Sequence, residues 1–366
     1  MSLPVLRIGI IGCVEITQIV FISTLGFMSD YFQITYLCDP NIDALEHYRS
    51  RVQGGVPPHI THDAEELCAS PHVDAVLVMS NYEDHVTHAL LSLKYDKFAL
   101  VEKPLAMCQR DVDAIIDAEN RSQGKIFVGY IRRYAPAFVT AVEEIRNMDK
   151  ILYARVRAII GPNQTFISQS GTFPKTFTAT ERTLQDEKRE EILSRALVGE
   201  CSVEKTEKAV RLWSLLGGLG CHDISAMREA IGTPNSVLGV AFEFPFWNVL
   251  FQYAGFTVSY ESGLIGVPNF DANIEVYSAD KSVKVQYDSA YIKGTPTTLH
   301  VVENIDGAAK ETHLRQTYED EYTLELKEFY KVVTQGLPIK TSARDSKEDL
   351  GIFKMILQAC QTAIPG

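Results

Sequence analysis

The apolar run Ala99-Leu100-Val101 stops abruptly at Glu102-Lys103-Pro104. Successive apolar residues with no polar alternation describe a strand buried on both faces, as in a parallel sheet. Parallel neighbours need a crossover between them, usually a helix. The chain supplies that rhythm. Apolar runs at 6–11, 33–37, 74–79 and 125–129 alternate with helical stretches such as 42–53 and 85–94. Alternation through about residue 130 predicts a doubly wound α/β sheet. Ligands of such sheets sit beyond the carboxyl ends of the strands, where Lys103 emerges. An ammonium there can hold an anion or donate a proton; a surface salt bridge is the alternative reading.

Beyond residue 130 the pattern changes. Strands are expected at 151–160, 236–244, 249–261, 273–277, 282–287 and 298–303, joined mostly by short turns. Val283-Lys284-Val285-Gln286-Tyr287 alternates apolar and polar, the mark of an antiparallel sheet with one packed face. Helices are expected at 183–198, 202–216, 321–335 and 346–363. With 366 residues, two domains are expected: a Rossmann-like 1–129 and an α/β domain 130–366. The second carries a large, mostly antiparallel, open-faced sheet and a helical insertion at about 161–220. Ser168, Ser170 and Thr172 lie in the polar loop of that insertion.

Composition excludes several partners. Net charge is -12, from 35 basic and 47 acidic residues, with no basic block to meet a phosphate backbone, so no nucleic acid is expected. No apolar run approaches the roughly 18 residues that span a bilayer, so no membrane partner is expected. The seven cysteines are scattered singly without a CxxC pair. That usage, with no secretory pattern at the amino terminus, predicts reduced thiols in a cytoplasmic protein. No His/Cys/Asp/Glu cluster has metal spacing, and His85 and His88 lack a third ligand, so no metal is expected.

The first strand ends at Gly12, followed by Cys13, Val14, Glu15, Ile16 and Thr17 at the start of a helix. Strand, glycine turn and helix open a dinucleotide-binding unit, with pyrophosphate on the helix N-terminus. Val14 and Thr17 stand where the G-x-G-x-x-G fingerprint has its second and third glycines. A β-branched residue at the second position pushes phosphates outward or reshapes the turn. Asp39 ends the second strand. It suits the hydroxyls of an adenosine ribose and repels a 2′-phosphate, favouring NAD while NADP stays open. With Pro40 and Asn41 it also reads as the opening of a turn.

Four stretches resemble the Gfo/Idh/MocA oxidoreductases in sequence and order: RIGIIGC at 7–13, VEKPLAM at 101–107, VGYIRRYAPAF at 128–138 and GGLGCHDISAMREAIG at 217–232. The resemblance implies an N-terminal NAD(P)-binding Rossmann domain and a C-terminal sheet often used for dimerisation, hence a homo-oligomer (dimer or tetramer). It implies hydride transfer between nicotinamide and a secondary alcohol or ketone of a sugar, polyol or related small molecule. Lys103 then lies between nicotinamide and substrate, and a tight turn with a cis Lys103-Pro104 peptide is expected. Family dehydrogenases carry D-x-G-x-H. Here His222 and Gly220 match, and Gly218 replaces the aspartate. His222 suits the general base; a helix residue satisfied by backbone is the alternative. Asp223, next to it on a helix, points elsewhere. Cofactor contacts are assigned to Gly9, Gly12, Cys13, Val14, Glu15, Ile16, Asp39, Ser80, Asn81, His85, Glu102, Lys103 and Arg132. For His85 a structural, helix-capping role competes; for Arg132 and Arg133, substrate contact competes with packing. Val14 and Gly218 motivate a rival: a catalytically degraded member acting as a ligand-sensing or regulatory protein.

Overall fold

A computed structural model describes residues 4–177 and 182–362. These residues form two compact units. The first holds the chain up to Gly129 together with Gly171–Glu200 and Glu325–Lys347; the second holds Tyr130–Ser170, Cys201–Leu324 and the chain from Glu348 on.

The first unit is built on six strands: β1 (Leu6–Ile11), β2 (Phe32–Cys38), β3 (His59–Thr61), β4 (Ala75–Val78), β5 (Phe98–Glu102) and β6 (Ile126–Gly129). Their order is β3-β2-β1-β4-β5-β6, and every pairing is parallel. The order reverses between β1 and β4, which opens a crevice at their carboxyl ends. β4 is buried at every position and β5 at all but its first, as their unbroken apolar sequence requires. The three-residue β3 was not expected: Pro57 and Pro58 precede it and conceal it as loop.

The expected boundary at residue 130 is only part of the division. Two later segments belong to the first unit, for local reasons. Glu200 caps the helix Gln109–Glu119, accepting from the N–H groups of Gln109 (2.7 Å) and Arg110 (2.9 Å). The helix Arg182–Ser194 pairs Lys188 with Asp84 (2.5 Å) and Arg189 with Glu83 (2.7 Å). Farther along, Phe329 meets Phe127 edge-on at 5.6 Å, and Thr341 O accepts from Val128 N–H at 2.8 Å. Residues 178–181 of the expected insertion, and residue 363 of the expected last helix, lie outside the described residues. That helix runs Ala343–Thr362.

The second unit holds eight strands: β7 (Tyr153–Ile160), β8 (Ser236–Glu243), β9 (Phe246–Tyr253), β10 (Phe256–Leu264), β11 (Phe270–Tyr277), β12 (Lys281–Tyr287), β13 (Thr298–Ile305) and β14 (Ala308–Leu314). The order is β14-β13-β12-β11-β7-β10-β9-β8, antiparallel except for β7 beside β10. Every second residue of β7 is buried. Leu238, Phe246 and Leu250 are exposed. The expected single strand over 249–261 is two, because Gly255 at φ +92° turns the chain between β9 and β10. β14 was not expected, since Ala-Ala-Lys-Glu-Thr-His-Leu has no apolar period. All seven cysteines are free. No helix among the described residues is long and apolar enough to cross a membrane.

Candidate active site

In the first unit, a cleft of about 460 Å³ lies at the carboxyl ends of β1, β2 and β4. Gly12 turns at φ +103°, and a Cβ there would lie 2.4 Å from the Ser80 backbone nitrogen. No other residue fits that approach. Thr17 Oγ1 donates to Gly12 O (2.8 Å), and the Tyr48 hydroxyl donates to Val14 O (2.5 Å). The helix that follows begins with a wide π turn, Thr17–Phe21, a form often found at functional sites. Cys13, Val14 and Glu15 line the cleft, whereas Ile16 is absent from its walls. Gly9 lies beneath, where a side chain would press on Leu67.

The Asp39 carboxylate accepts from the N–H groups of Cys13 (2.7 Å) and Asn41 (2.8 Å). Burial raises its pKa, and those two donors pull it back. Each oxygen keeps a second lone pair for a hydroxyl donor. Asp39 therefore fixes the turn and lines the cleft at once. Ser80 and Asn81 line the opposite wall with His88, whose pKa burial pushes down to about 4, leaving it neutral beside Ser80 Oγ at 2.9 Å.

Sequence reasoning missed the outer wall. Lys175, Thr176, Phe177 and Gln185 line the cleft although they lie about 160 residues from Gly12. Gln18 binds both sides of the Lys175 backbone, donating to its carbonyl (2.7 Å) and accepting from its N–H (2.9 Å). Phe177 rests against His47 (5.4 Å). Among the described residues the Lys175 ammonium pairs with no carboxylate and sits over the Phe177 ring at 5.0 Å. No sequence period predicts this strap.

The end of β5 carries the expected Glu-Lys-Pro turn, and Lys103-Pro104 is cis. His85 ties this turn to the cleft: its ring nitrogens lie 2.8 Å from Pro104 O and 2.8 Å from Ser80 O. Burial lowers its pKa. The ring is thus a brace beneath Lys103, and its nitrogens do not face the cleft. Glu102 is buried too, accepting from Lys103 N–H at 3.1 Å, and burial raises its pKa. Glu325, also buried, has its pKa raised by burial and by Glu102.

In the second unit, His222 stands in the first turn of the helix Cys221–Ile231 and is half-buried. Asp223 is fully buried beside it. Arg132 Nη1 donates to Asp223 Oδ1, and the Tyr260 hydroxyl donates to Oδ2 at 3.0 Å. The Arg132 guanidinium also lies over Tyr287 at 4.9 Å. Burial lowers the Arg132 pKa, but Asp223 outweighs it, so the guanidinium stays charged. Arg132 therefore anchors the His222 helix through this pair. Arg133 pairs with Glu229 (2.5 Å). Glu321, hydrogen-bonded by Thr297 Oγ1 at 2.5 Å, is pushed up to about 7, chiefly by burial and partly by Asp320. A Cβ at Gly218 would meet nothing within 4 Å, so the place of the family aspartate is open space.

One group among the described residues has metal-ligand spacing after all: His300, Glu311 and His313. The linear sequence hid it because a hairpin turn separates its members.

Residues 6–130 match the profile of an oxidoreductase family with an NAD-binding Rossmann fold, Gfo/Idh/MocA. The chain is 25% identical over 352 residues to myo-inositol 2-dehydrogenase of Thermotoga maritima, covering 93% of this chain and 92% of that one. It is 33% identical over 129 residues to inositol 2-dehydrogenase 3 of Saccharopolyspora erythraea, covering 35% and 37% of the two chains. A 3-ketoreductase from Actinomadura kijaniata, solved with NADP and TDP-benzene, shares the fold with a TM-score of 0.71 at 15% identity over 98% of both chains. UDP-N-acetylglucosamine 3-dehydrogenase from Acidithiobacillus ferrooxidans does so with a TM-score of 0.69 at 14% identity, again over 98% of each.

Proposed function

We propose that the chain, whose residues 6–130 match the Gfo/Idh/MocA oxidoreductase profile, interconverts a secondary alcohol and a ketone on a sugar or polyol, using NAD in preference to NADP. The observation that carries this reading is the Lys103 turn, braced by buried His85 against Ser80 of the cleft wall. That brace holds the backbone of the Lys103 turn against the cleft wall, a tie that a surface salt bridge would not need.

The cleft suits the cofactor. The bare turn at Gly12 admits a pyrophosphate to the helix N-terminus, and Asp39 offers acceptors to a ribose diol. Val14, Glu15, Ser80 and Asn81 complete the contacts, and Lys175 offers a cation to the phosphates. Bound nicotinamide supplies the hydride acceptor or donor. Lys103 orients the substrate hydroxyl and favours its alkoxide character. His222 takes the hydroxyl proton during oxidation and returns it during reduction. Arg132 and Asp223 hold the helix that presents His222. The likeness to a myo-inositol 2-dehydrogenase along nearly the whole chain supports a cyclic polyol as the first substrate to try. The exposed residues Leu238, Phe246 and Leu250 suit a self-association face, and light scattering should find a homo-oligomer.

Steady-state reduction of NAD and NADP with myo-inositol and a panel of sugars tests the assignment. Lys103→Met and His222→Ala should each lower kcat/KM by about 10²–10⁴-fold while cofactor binding persists. Activity unchanged in both variants rejects the catalytic pair. Tight sugar binding without turnover of any substrate would instead select the ligand-sensing reading.

A further inference from the structure

At one edge of the second sheet, three side chains with metal-binding atoms meet. β14 is the edge strand, paired to β13 with His313 opposite His300 and Glu311 opposite Val302. Residues two apart on a strand share a face, so His300, Glu311 and His313 form one patch. The two imidazoles stack with centroids 4.0 Å apart and planes within 10°. One oxygen of Glu311 lies 3.2 Å from His300 Nε2 and 3.6 Å from His313 Nε2. Ligand atoms of all three residues fall within 4.8 Å of one another.

Hydrogen bonds from imidazole to carboxylate account for part of this, but the spacing goes further. Zinc takes nitrogen and oxygen donors at about 2.0–2.2 Å in a tetrahedron, which sets neighbouring donors about 3.3–3.5 Å apart. The two measured separations bracket that edge length. A point within about 2.4 Å of all three atoms therefore exists, and these solvent-reached rings must turn out of their parallel stack to bring their in-plane lone pairs onto it. The nearest cross-strand cation on β12, Lys284, sits opposite His300 but is already paired with Glu275 at 3.0 Å. It leaves the Glu311 charge to an incoming ion.

We propose that His300, Glu311 and His313 bind one divalent transition-metal ion of the zinc, cobalt or nickel class, with water completing its coordination. Two imidazoles and one carboxylate suit such ions and not magnesium, which demands oxygen donors and keeps its waters. The bound ion clips β14 to β13 at an edge that otherwise has pairing on one side only.

The test uses the full chain stripped with a chelator and titrated with zinc chloride by calorimetry. Binding of one ion per chain at this site is expected, together with a rise in Tm, because an ion that binds only the folded state stabilises it. Removal of a partner that merely orients a ligand costs about 10–100-fold in affinity, so His313→Ala and Glu311→Gln should each lose at least tenfold and abolish the Tm shift. Glu311→Gln keeps the shape and the hydrogen-bonding capacity, so it separates coordination from folding. Cobalt chloride should give the absorption of a tetrahedral site in the native chain and not in the variants; magnesium chloride should give no heat. Zinc binding of equal affinity in both variants, or none in the native chain, overturns the proposal.

Discussion

The cleft in the first unit and the layer under His222 in the second are assembled by opposite means. The cleft is mostly backbone and short polar side chains at strand ends: Gly12, Asp39, Ser80 and Asn81 act within a few residues of the strands that place them. The second site is an ion pair sealed in a core. Arg132, Asp223, Tyr260 and Tyr287 come from four separate elements and meet by packing. A site of the first kind tolerates change in the core around it but not in the turn. A site of the second kind depends on charges that cannot survive alone in a dry interior.

The sharpest break of that contrast is Asp223→Ala, which strands the Arg132 guanidinium among aromatic rings. A loss of about 3–5 kcal/mol is expected in urea unfolding; a loss under about 1 kcal/mol would place the pair in water. In the first unit, Gly12→Ala forces a side chain onto the Ser80 backbone at positive φ. It should cost about 1–3 kcal/mol of stability, with NAD affinity falling severalfold or more by calorimetry. Gly218→Asp sharpens the comparison from the other side. The site is open, so stability should stay within about 1 kcal/mol of the native chain. A carboxylate near His222 favours the imidazolium, so the acid limb of the kcat/KM profile for alcohol oxidation should move up by about one pH unit. An unmoved limb would show that position 218 does not face His222. The smallest effect belongs to Lys175→Ala: an exposed cation near a phosphate is worth about 0.2–1 kcal/mol, so NAD binding should weaken about two- to fivefold and regain little at high salt.

The same contrast decides what was legible in the sequence. Strand-end chemistry is local, so Gly12, Asp39 and the Glu-Lys-Pro turn announce themselves by their position after apolar runs. Even there, the bracing role of His85 is hidden, because its partners Ser80 and Pro104 are close in space and not in a motif. Arg132 follows the same logic: its partner Asp223 lies 91 residues away along the chain. The Lys175 strap is fastened by Gln18 across 157 residues. The segment 325–347 joins the first unit through Phe329 and Thr341. Such pairings leave no period in the chain. The antiparallel strands were legible where one face is buried, as in β12, and not in β14, whose residues are mostly exposed.

The central proposal is that Lys103 and His222 act in the same reaction. A double-mutant cycle on kcat/KM, using Lys103→Met, His222→Ala and the double variant with whichever polyol supports turnover, tests this directly. Residues that act as one assembly lose most of their effect on the first substitution, so the double variant should be scarcely worse than the poorer single one. Losses that multiply, or a single variant with undiminished activity, would mean that the two groups do not work on the same chemistry.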